Sequence, residues 1–256
     1  FLFSMVIALI AVLVLFTAGL GEGLASANKE YLEKLDATLL VFQEGTGYST
    51  IASRLDYQKV KRVQRVDGVA DAGPIGFSNL EIVLGDGLAS IDASFIGVEL
   101  GKPGLPAPII GETIRSRQSK VVMIDQRIAE SANIGIGDYI TVKSTQGTED
   151  KFYDLRVTGI TDGQQYFFQP SIFVSLAIWD KYRPKPDASV SSSRPITNVI
   201  AVQLEDPTAV ESMVQLIPAM VKDVEASDIK TAYESAPGYS AQQSTLNTMK
   251  GFTFLI

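Results

Sequence analysis

The chain has 256 residues and a net charge of −7, from 22 Lys and Arg against 29 Asp and Glu, which argues against the concentrated basic surface that nucleic-acid binding requires. It contains no Cys and no His. Their absence excludes disulfides, thiolate metal sites, most zinc sites, and the Ser-His-Asp and Cys-His nucleophilic machineries.

The first 21 residues carry no charge and predict a membrane-spanning helix. A hydrocarbon core about 30 Å thick is crossed by about 20 apolar residues of α-helix, and 1–21 supply them. Residues 251–256 form another apolar run directly after Lys250, as if a second span had begun. No Met precedes Phe1, so we interpret the sequence as a fragment with a large water-facing domain between two spans. The positive-inside rule cannot orient it, because the flanking loop is missing.

Two other interpretations of 1–21 compete with a span. A secretory signal would be cleaved after small residues, and Ala25-Ser26-Ala27 offers such a site. However, the apolar core exceeds the about 7 to 15 residues of a signal, and no basic region precedes it. A buried core helix is the other alternative, but a helix that is apolar on every side is rare in a domain of this size. The length favours the span.

Residues 22–36 predict a stem helix that continues from the membrane. Apolar residues recur there at helical spacing, and Lys29 with Glu33 and Glu30 with Lys34 form i,i+4 pairs. The stem is therefore expected to project from the bilayer as a stiff rod.

A β-α-β unit follows the stem. Residues 37–43 predict a buried strand, Asp56 is the expected N-cap of a helix at 57–66, and 69–76 predict the second strand. The helix carries the one basic cluster of the chain, interpreted as a solvated helix face: Lys59, Lys61, Arg62 and Arg65.

The middle of the chain predicts a hairpin, a boundary and a set of short elements. Strands at 79–84 and 88–98 are joined by Gly85-Asp86-Gly87, a turn signal. Three Pro and two Gly within 101–108 mark a boundary. The elements expected beyond it are a strand at 120–124, a helix from the cap Asp125 to Ala132, a turn at 133–137, strands at 138–144, 151–161 and 171–174, and a helix capped by Ser175.

A second β-α-β unit closes the domain. The Pro- and Ser-rich segment 183–195 is a linker, and 198–204 predict a strand. Asp206-Pro207 starts a helix that Pro218 should kink or end, and 227–233 are expected to form the last strand.

These patterns predict an α+β fold in which two β-α-β units join in one sheet with helices on one side, a split ferredoxin-like sandwich. Accordingly, 37–43 and 198–204 should share a sheet, and the inserted, mostly β segment should form a lobe of its own. The expected division is a transmembrane helix (1–21), a stem helix (22–36), a split subdomain (37–100 and 195–236), the insertion (101–194), and a stem that starts a second transmembrane helix (237–256).

No catalytic, cofactor-binding or metal-binding residue is predicted. Gly135 to Asp138 follow a helix and enter a strand, the reverse of the order in a phosphate loop, so a turn is favoured. Four acidic residues lack the spacing of a calcium loop: Asp36, Asp67, Asp71 and Asp86. Five aromatic residues are interpreted as core, with an exposed contact surface as the alternative: Phe152, Tyr153, Tyr166, Phe167 and Phe168.

In this order the chain resembles the first span and extracytoplasmic domain of MacB/FtsX-like permeases of ABC transporters. The resemblance rests on the long first helix running into GLGEGLASANKEYLEKLDATLLVF, on KVKRVQRVDGVADAGP, on SKVVMIDQRIAESANIGIGDYITV and on NVIAVQLEDPTAVESMVQLI. It implies a Porter-type subdomain for 37–100 and 195–236 and a Sabre-type subdomain for 101–194. These motifs are loose patterns and not catalytic signatures.

The resemblance implies a non-enzymatic membrane protein that binds no cofactor. Its partners would be an ABC ATPase subunit or fused domain, a second permease copy, and a periplasmic adaptor or other extracytoplasmic protein, but no nucleic acid. It would lie in the cell membrane with its main domain outside and transmit motion from cytoplasmic ATP hydrolysis for efflux, lipoprotein release or partner activation.

Two other classes compete with a permease. A two-span receptor with a ligand-sensing extracytoplasmic domain has the same plan, and a membrane-anchored enzyme could use carboxylate chemistry. The sequence beyond Ile256 discriminates them, because two further spans favour a permease and a signalling domain favours a receptor.

Overall fold

The computed structural model describes residues 29–85, 89–166, 168–186 and 196–235 and, singly, residues 5, 9, 12, 15 and 16. These five single residues are helical, and their apolar side chains are exposed. No helix within the described residues is long and apolar enough to cross a membrane. The predicted transmembrane helix at 1–21 lies largely outside the described residues, and the predicted helix at 237–256 lies wholly outside them.

The described residues form twelve strands, six α-helices and one 3₁₀ turn. The strands are β1 (Leu39–Gln43), β2 (Leu55–Asp56), β3 (Val69–Leu84), β4 (Ala89–Val98), β5 (Pro108–Gly111), β6 (Val121–Asp125), β7 (Tyr139–Gln146), β8 (Glu149–Thr161), β9 (Ser171–Ser175), β10 (Ile196–Thr197), β11 (Val199–Leu204) and β12 (Val224–Asp228). The helices are α1 (29–33), α2 (Tyr57–Val63), α3 (Gln126–Ala132), α4 (Leu176–Tyr182), α5 (Val210–Met220, after a 3₁₀ turn at Pro207–Ala209) and α6 (Ile229–Glu234).

Ten of the described strands form one sheet. Its order is β12-β1-β11-β3-β4-β9-β6-β8-β5, and β7 pairs with both β3 and β8. Leu40 of β1 lies opposite Ala201 of β11 in an antiparallel pair, which confirms that the strands predicted at 37–43 and 198–204 share a sheet. The two short strands β2 and β10 pair with each other beside it.

The first four strands of the sheet, β12-β1-β11-β3, are antiparallel and carry two helices on one face. Val60 of α2 and Ile217 of α5 pack there in a cluster with Val41 of β1. The neighbouring residues Leu40 and Phe42 belong to the cluster on the opposite face. This alternation follows from the period of two residues in a strand, and it gives β1 a buried side chain on both faces.

The segment between the two β-α-β units extends this sheet and does not build a separate one. Strand β9 lies parallel to β4, with Ile96 opposite Phe173. The long strand β3 contributes Ala72 to the cluster under α2 and α5 and Ile82 to the cluster under α3 and α4. The lobe expected from sequence at 101–194 therefore shares its sheet and part of its core with the rest of the domain.

Two glycines make room for the helix α4. Gly76 and Gly97 lie directly opposite each other on β3 and β4. The side chain of Trp179 lies against both: a Cβ added at Gly76 would be 2.5 Å from its ring, and one added at Gly97 would be 2.3 Å from its Cβ. The Trp179 indole N–H donates to Ser78 Oγ at 3.0 Å. The absence of two Cβ atoms thus lets α4 approach the sheet.

The predicted helix caps are confirmed. Asp56, Asp125 and Ser175 each accept a hydrogen bond from a backbone N–H in the first turn of the following helix. In each case the side-chain oxygen satisfies an N–H that has no partner inside the helix. Capping was predictable because its donor and acceptor are close in sequence.

Three predictions of local structure were wrong. The strands expected at 69–76 and 79–84 are one 16-residue strand, β3, because its partner β4 is long enough to pair through the gap. Most of the strand expected at 227–233 is instead helix α6. Strand β12 ends at Asp228, whose side chain caps that helix. Strand β5 was not predicted, because the Pro-rich segment before it indicated only a loop. It pairs with β8 at the edge of the sheet. Pro218 lies inside α5, which ends two residues later at Met220.

Candidate functional site

The site that the fold singles out is the contact between α1 and the sheet. Tyr31 is only 1% exposed, and its ring lies in an aromatic cluster with Phe77, Tyr166 and Phe173, at centroid distances of 6.0, 6.4 and 5.3 Å. Its hydroxyl donates to the Gly104 carbonyl at 2.7 Å. Burial raises the pKa of Tyr31 well above its ordinary value, so the hydroxyl keeps its proton and remains a donor. The stem residue is therefore a buried anchor.

A polar network surrounds this anchor. The Glu30 carboxylate accepts hydrogen bonds from Lys34 Nζ at 3.1 Å, Arg127 Nη1 at 3.0 Å and the Gln165 backbone N–H at 3.2 Å. Lys34 also donates to the Gly163 carbonyl at 2.7 Å and to Asp162 Oδ2 at 3.3 Å. We call this set the stem clamp, and its members are Glu30, Tyr31, Lys34, Gly104, Arg127, Asp162, Gly163 and Gln165.

Asp125, at the end of β6, positions the residues of the stem clamp that lie outside α1. Its fully buried carboxylate accepts from the Arg127 backbone N–H at 2.8 Å, which starts α3, and from the Gln164 backbone N–H at 2.5 Å. One side chain thus fixes both the helix that carries Arg127 and the loop that carries Gln165. The sequence predicted only the first of these roles.

The backbone also joins the stem to the body. The Tyr31 N–H donates to the Gln165 carbonyl at 3.0 Å, while the Gln165 N–H donates to Glu30. Such paired bonds between two adjacent residues and one loop residue restrict both sliding and rotation of α1. These bonds therefore hold α1 against the loop that follows β8.

The charge of Glu30 should make the stem clamp sensitive to acid. Partial burial opposes ionisation, but the hydrogen bonds from Gln165, Lys34 and Arg127 outweigh it and lower the pKa of Glu30 from its ordinary value of 4.5. A lowered pKa contributes stability that is present above the ordinary value and is lost as pH falls through the folded one. The clamp is thus strongest at neutral pH and weakens below pH 4.5.

We expect Glu30→Gln to lower the free energy of unfolding at pH 7 by about 1 kcal/mol, because Gln carries no charge and has one acceptor oxygen where Glu30 uses two. The difference from wild type should shrink as pH falls below 4.5. Denaturant unfolding at pH 7 and pH 4 measures both. Glu234→Gln is the control, because Glu234 faces Lys230 in a longer surface pair of 3.9 Å. A deficit that is equal at both pH values would contradict the role of the charge.

The features weighed in the sequence are placed as follows. Gly135 to Asp138 form a turn, in which Asp138 Oδ2 accepts from the Gly135 N–H at 2.8 Å before β7 begins. Asp71 pairs with Lys102 at 2.7 Å. Asp86 lies outside the described residues, and within the described ranges no group of three acidic residues could hold a metal ion.

The five aromatic residues divide between core and surface. Tyr166 lies in the aromatic cluster around Tyr31, and Tyr153 stacks on Tyr182 at 3.9 Å in a different cluster. Phe152 and Phe168 are exposed, and Phe167 lies outside the described residues. The core interpretation thus holds for Tyr166, while the exposed contact surface would rest on Phe152 and Phe168.

A family model described as the MacB-like periplasmic core domain matches residues 1–220. The periplasmic region of MacB from Actinobacillus actinomycetemcomitans is similar in structure, with a TM-score of 0.51 and 15% identity over 77% of this chain and 91% of that chain. So is the extracellular domain of the noncanonic ABC-type transporter YknZ from Gram-positive bacteria, with a TM-score of 0.52 and 12% identity over 74% of this chain and 99% of that chain. The comparison with curated proteins gave no match. At these identities the structural likeness concerns the fold.

Proposed function

The chain belongs to the family of MacB-like periplasmic core domains, and from that premise we propose that it is a non-enzymatic permease subunit of an ABC transporter that carries motion to its outer domain. ATP is bound and hydrolysed by a partner subunit or fused domain on the cytoplasmic side, and this chain binds no cofactor. A second permease copy completes the transporter, and a periplasmic adaptor or other extracytoplasmic protein meets the outer domain. The output is efflux, lipoprotein release or partner activation.

Residues 1–21 form the first transmembrane helix in this proposal. The run has no charged residue. Its five described residues are helical, and each exposes at least 63% of an apolar side chain. Such exposure is unfavourable in water and favourable in lipid. Residues 251–256 begin the second span in this proposal. The described domain between the two spans lies on the outer side of the cell membrane.

The outer domain has two subdomains in this proposal. The Porter-type subdomain comprises 37–100 and 195–236, and it is supported by the strand order β12-β1-β11-β3 with α2 and α5 on one face. This is the order of a ferredoxin-like sheet split by an insertion. Residues 101–194 form the Sabre-type subdomain, which adds β5 to β9 to the same sheet.

The observation that carries the proposal is the stem clamp. A stem helix that transmits motion must be held tightly against the domain that it moves. Glu30, Tyr31 and Lys34 make such a joint, with backbone, aromatic and charged contacts to residues 46 to 142 positions away in the chain. A helix that served only as a membrane tether would need none of them. Motion of the span would reach the sheet through this joint.

The test is to break the stem without touching the stem clamp. We expect Ser26→Gly with Ala27→Pro to interrupt the stem helix that the sequence predicts at 22–36, because an interior proline costs about 3 kcal/mol and removes a backbone hydrogen bond. The full permease is reconstituted with its ATPase, and a fluorophore pair is attached through Cys introduced at the exposed Lys151 of each permease copy. Wild type should show an ATP-dependent change in energy transfer. The variant should hydrolyse ATP and show no such change.

The control replaces Ser191 and Ser192 by Gly-Pro, in the Pro- and Ser-rich segment, where no helix is predicted. It should behave as wild type. An ATP-dependent change of full size in the stem variant would show that motion does not pass through the stem, and the proposed mechanism would then be abandoned.

A further inference from the structure

A cleft of about 440 Å³ lies between the end of β4, the start of α2 and helix α4. This volume is within the about 300 to 1,000 Å³ of small-molecule sites. The lining residues are Tyr57, Val98, Glu99, Leu100, Arg117, Leu176, Ala177 and Asp180. Half of them are apolar, so the cleft offers an apolar wall with a few charged groups.

The Glu99 carboxylate is the fixed polar group of the cleft. Its side chain is 11% exposed. The Tyr57 hydroxyl donates to Glu99 Oε2 at 2.8 Å, and Arg117 Nη2 donates to Glu99 Oε1 at 2.6 Å. Burial and the neighbouring Glu99 raise the pKa of Tyr57 to about 12, so its phenol stays protonated and orients the carboxylate.

The Arg117 side chain is held less tightly than the Glu99 side chain, although its main chain is fixed. Its backbone carbonyl accepts from Ser175 Oγ at 2.6 Å, which fixes the main chain beside the start of α4. Its side chain, however, is 70% exposed. An ion pair with one exposed partner contributes little, because water solvates the free guanidinium almost as well. The guanidinium can therefore leave Glu99 at small cost when another cation takes its place, while the Arg117 main chain stays where it is.

We propose that this cleft binds a small organic cation with an apolar body, and that Arg117 is a built-in substitute which pairs with Glu99 until the ligand arrives. The ligand's ammonium or guanidinium group takes the position of the Arg117 guanidinium on Glu99 Oε1, and its apolar body lies against Leu100, Leu176 and Ala177. Tyr57 keeps its bond to Oε2. Binding here requires neither ATP nor a second permease copy.

The charges of the cleft select a cation over an anion. Two carboxylates line it, Glu99 and Asp180, against the single guanidinium of Arg117. Asp180 is paired with Arg183 at 3.0 Å and stands at the same helix face as Leu176 and Ala177. Because Arg183 offsets the charge of Asp180, the Glu99 carboxylate decides the preference: it attracts a cation once the Arg117 guanidinium has left, and it repels a bound carboxylate or phosphate.

The experiment titrates the 256-residue chain in detergent with butylguanidinium and, separately, with butyrate of equal chain length, followed by calorimetry. Wild type should bind butylguanidinium in preference to butyrate. Glu99→Gln should weaken that binding about tenfold, because it removes a charge-assisted hydrogen bond. Arg117→Ala should tighten it about two- to fivefold, because it removes the internal competitor.

Arg115→Ala is the matched control, since Arg115 lies on the same loop, pairs with Glu112 and does not line the cleft. It should bind as wild type does. Two results would overturn the inference. One is weaker butylguanidinium binding in Arg117→Ala, and the other is a preference for butyrate that Arg117→Ala abolishes, which would mark an anion site.

Discussion

Replacing Gly97 by alanine is expected to lower the free energy of unfolding by about 3 kcal/mol, because overpacking a tightly filled contact forces backbone and side chains to shift. The new Cβ would lie 2.3 Å from Trp179 Cβ and 2.4 Å from its Cγ, closer than carbon atoms can approach. Trp179 cannot simply turn away. Its indole N–H is bonded to Ser78, and the Arg183 guanidinium lies over its ring at 5.1 Å. Denaturant unfolding of the full chain in detergent measures the loss.

Two further variants make this expectation specific to the Trp179 contact. Gly135→Ala is the control, because a Cβ there would meet nothing closer than an oxygen of Asp138 at 3.6 Å. It should change the unfolding free energy by no more than about 0.5 kcal/mol. In a Trp179→Gly background, which removes the Cβ at 2.3 Å as well as the ring, Gly97→Ala should lose most of its cost, since a double-mutant cycle isolates the shared contact. Equal stability of the Gly97 and Gly135 variants would contradict the packing argument.

Replacing Tyr31 by alanine is expected to cost about 3 to 5 kcal/mol, the usual range for removing a buried aromatic side chain. The ring fills space among Phe77, Tyr166 and Phe173, and the surrounding sheet cannot collapse into the void. Tyr31→Phe should cost about 1 to 2 kcal/mol, since it removes only the hydroxyl that serves the Gly104 carbonyl. Denaturant unfolding ranks the two variants against wild type.

The control for this pair is Tyr139→Ala, because Tyr139 is 69% exposed. It should lie within about 0.5 kcal/mol of wild type. Hydrogen exchange adds a local measurement, since Tyr31→Ala should speed exchange in the loops around Gly104 and Gln165 more than in β11. If Tyr31→Ala were no more destabilising than Tyr31→Phe, the ring would not be the anchor of the stem.

The local elements of this protein could be read from the sequence. Capping side chains such as Asp125 and Ser175 act within three residues, and strand alternation repeats every second residue. The order of elements also predicted that 37–43 and 198–204 would share a sheet, since neither β-α-β unit buries enough surface alone. The ends of the helices and strands were predicted less accurately, as the misplaced strand at 227–233 shows. Asp228, which ends β12, favours a cap as much as a strand residue.

The stem clamp was only partly visible in the sequence. The i,i+4 pairs Lys29 with Glu33 and Glu30 with Lys34 were predicted and are present, at 2.6 and 3.1 Å. Their helical spacing alone suggested a solvated rod. In the structure Glu30 also meets Arg127, 97 residues away, and Lys34 meets Gly163, 129 residues away.

The sequence by itself determined most of the helices, their caps and the apolar faces of the strands, because these properties depend on neighbours within one or two turns. Only the tertiary structure decided that Tyr31 anchors the stem, that Trp179 lies on two glycines, and that Glu99 meets Arg117 in a cleft. Each of these contacts joins residues that are far apart in the chain. No local spacing encodes them, since loop closure and sheet pairing bring them together only when the whole sheet has formed.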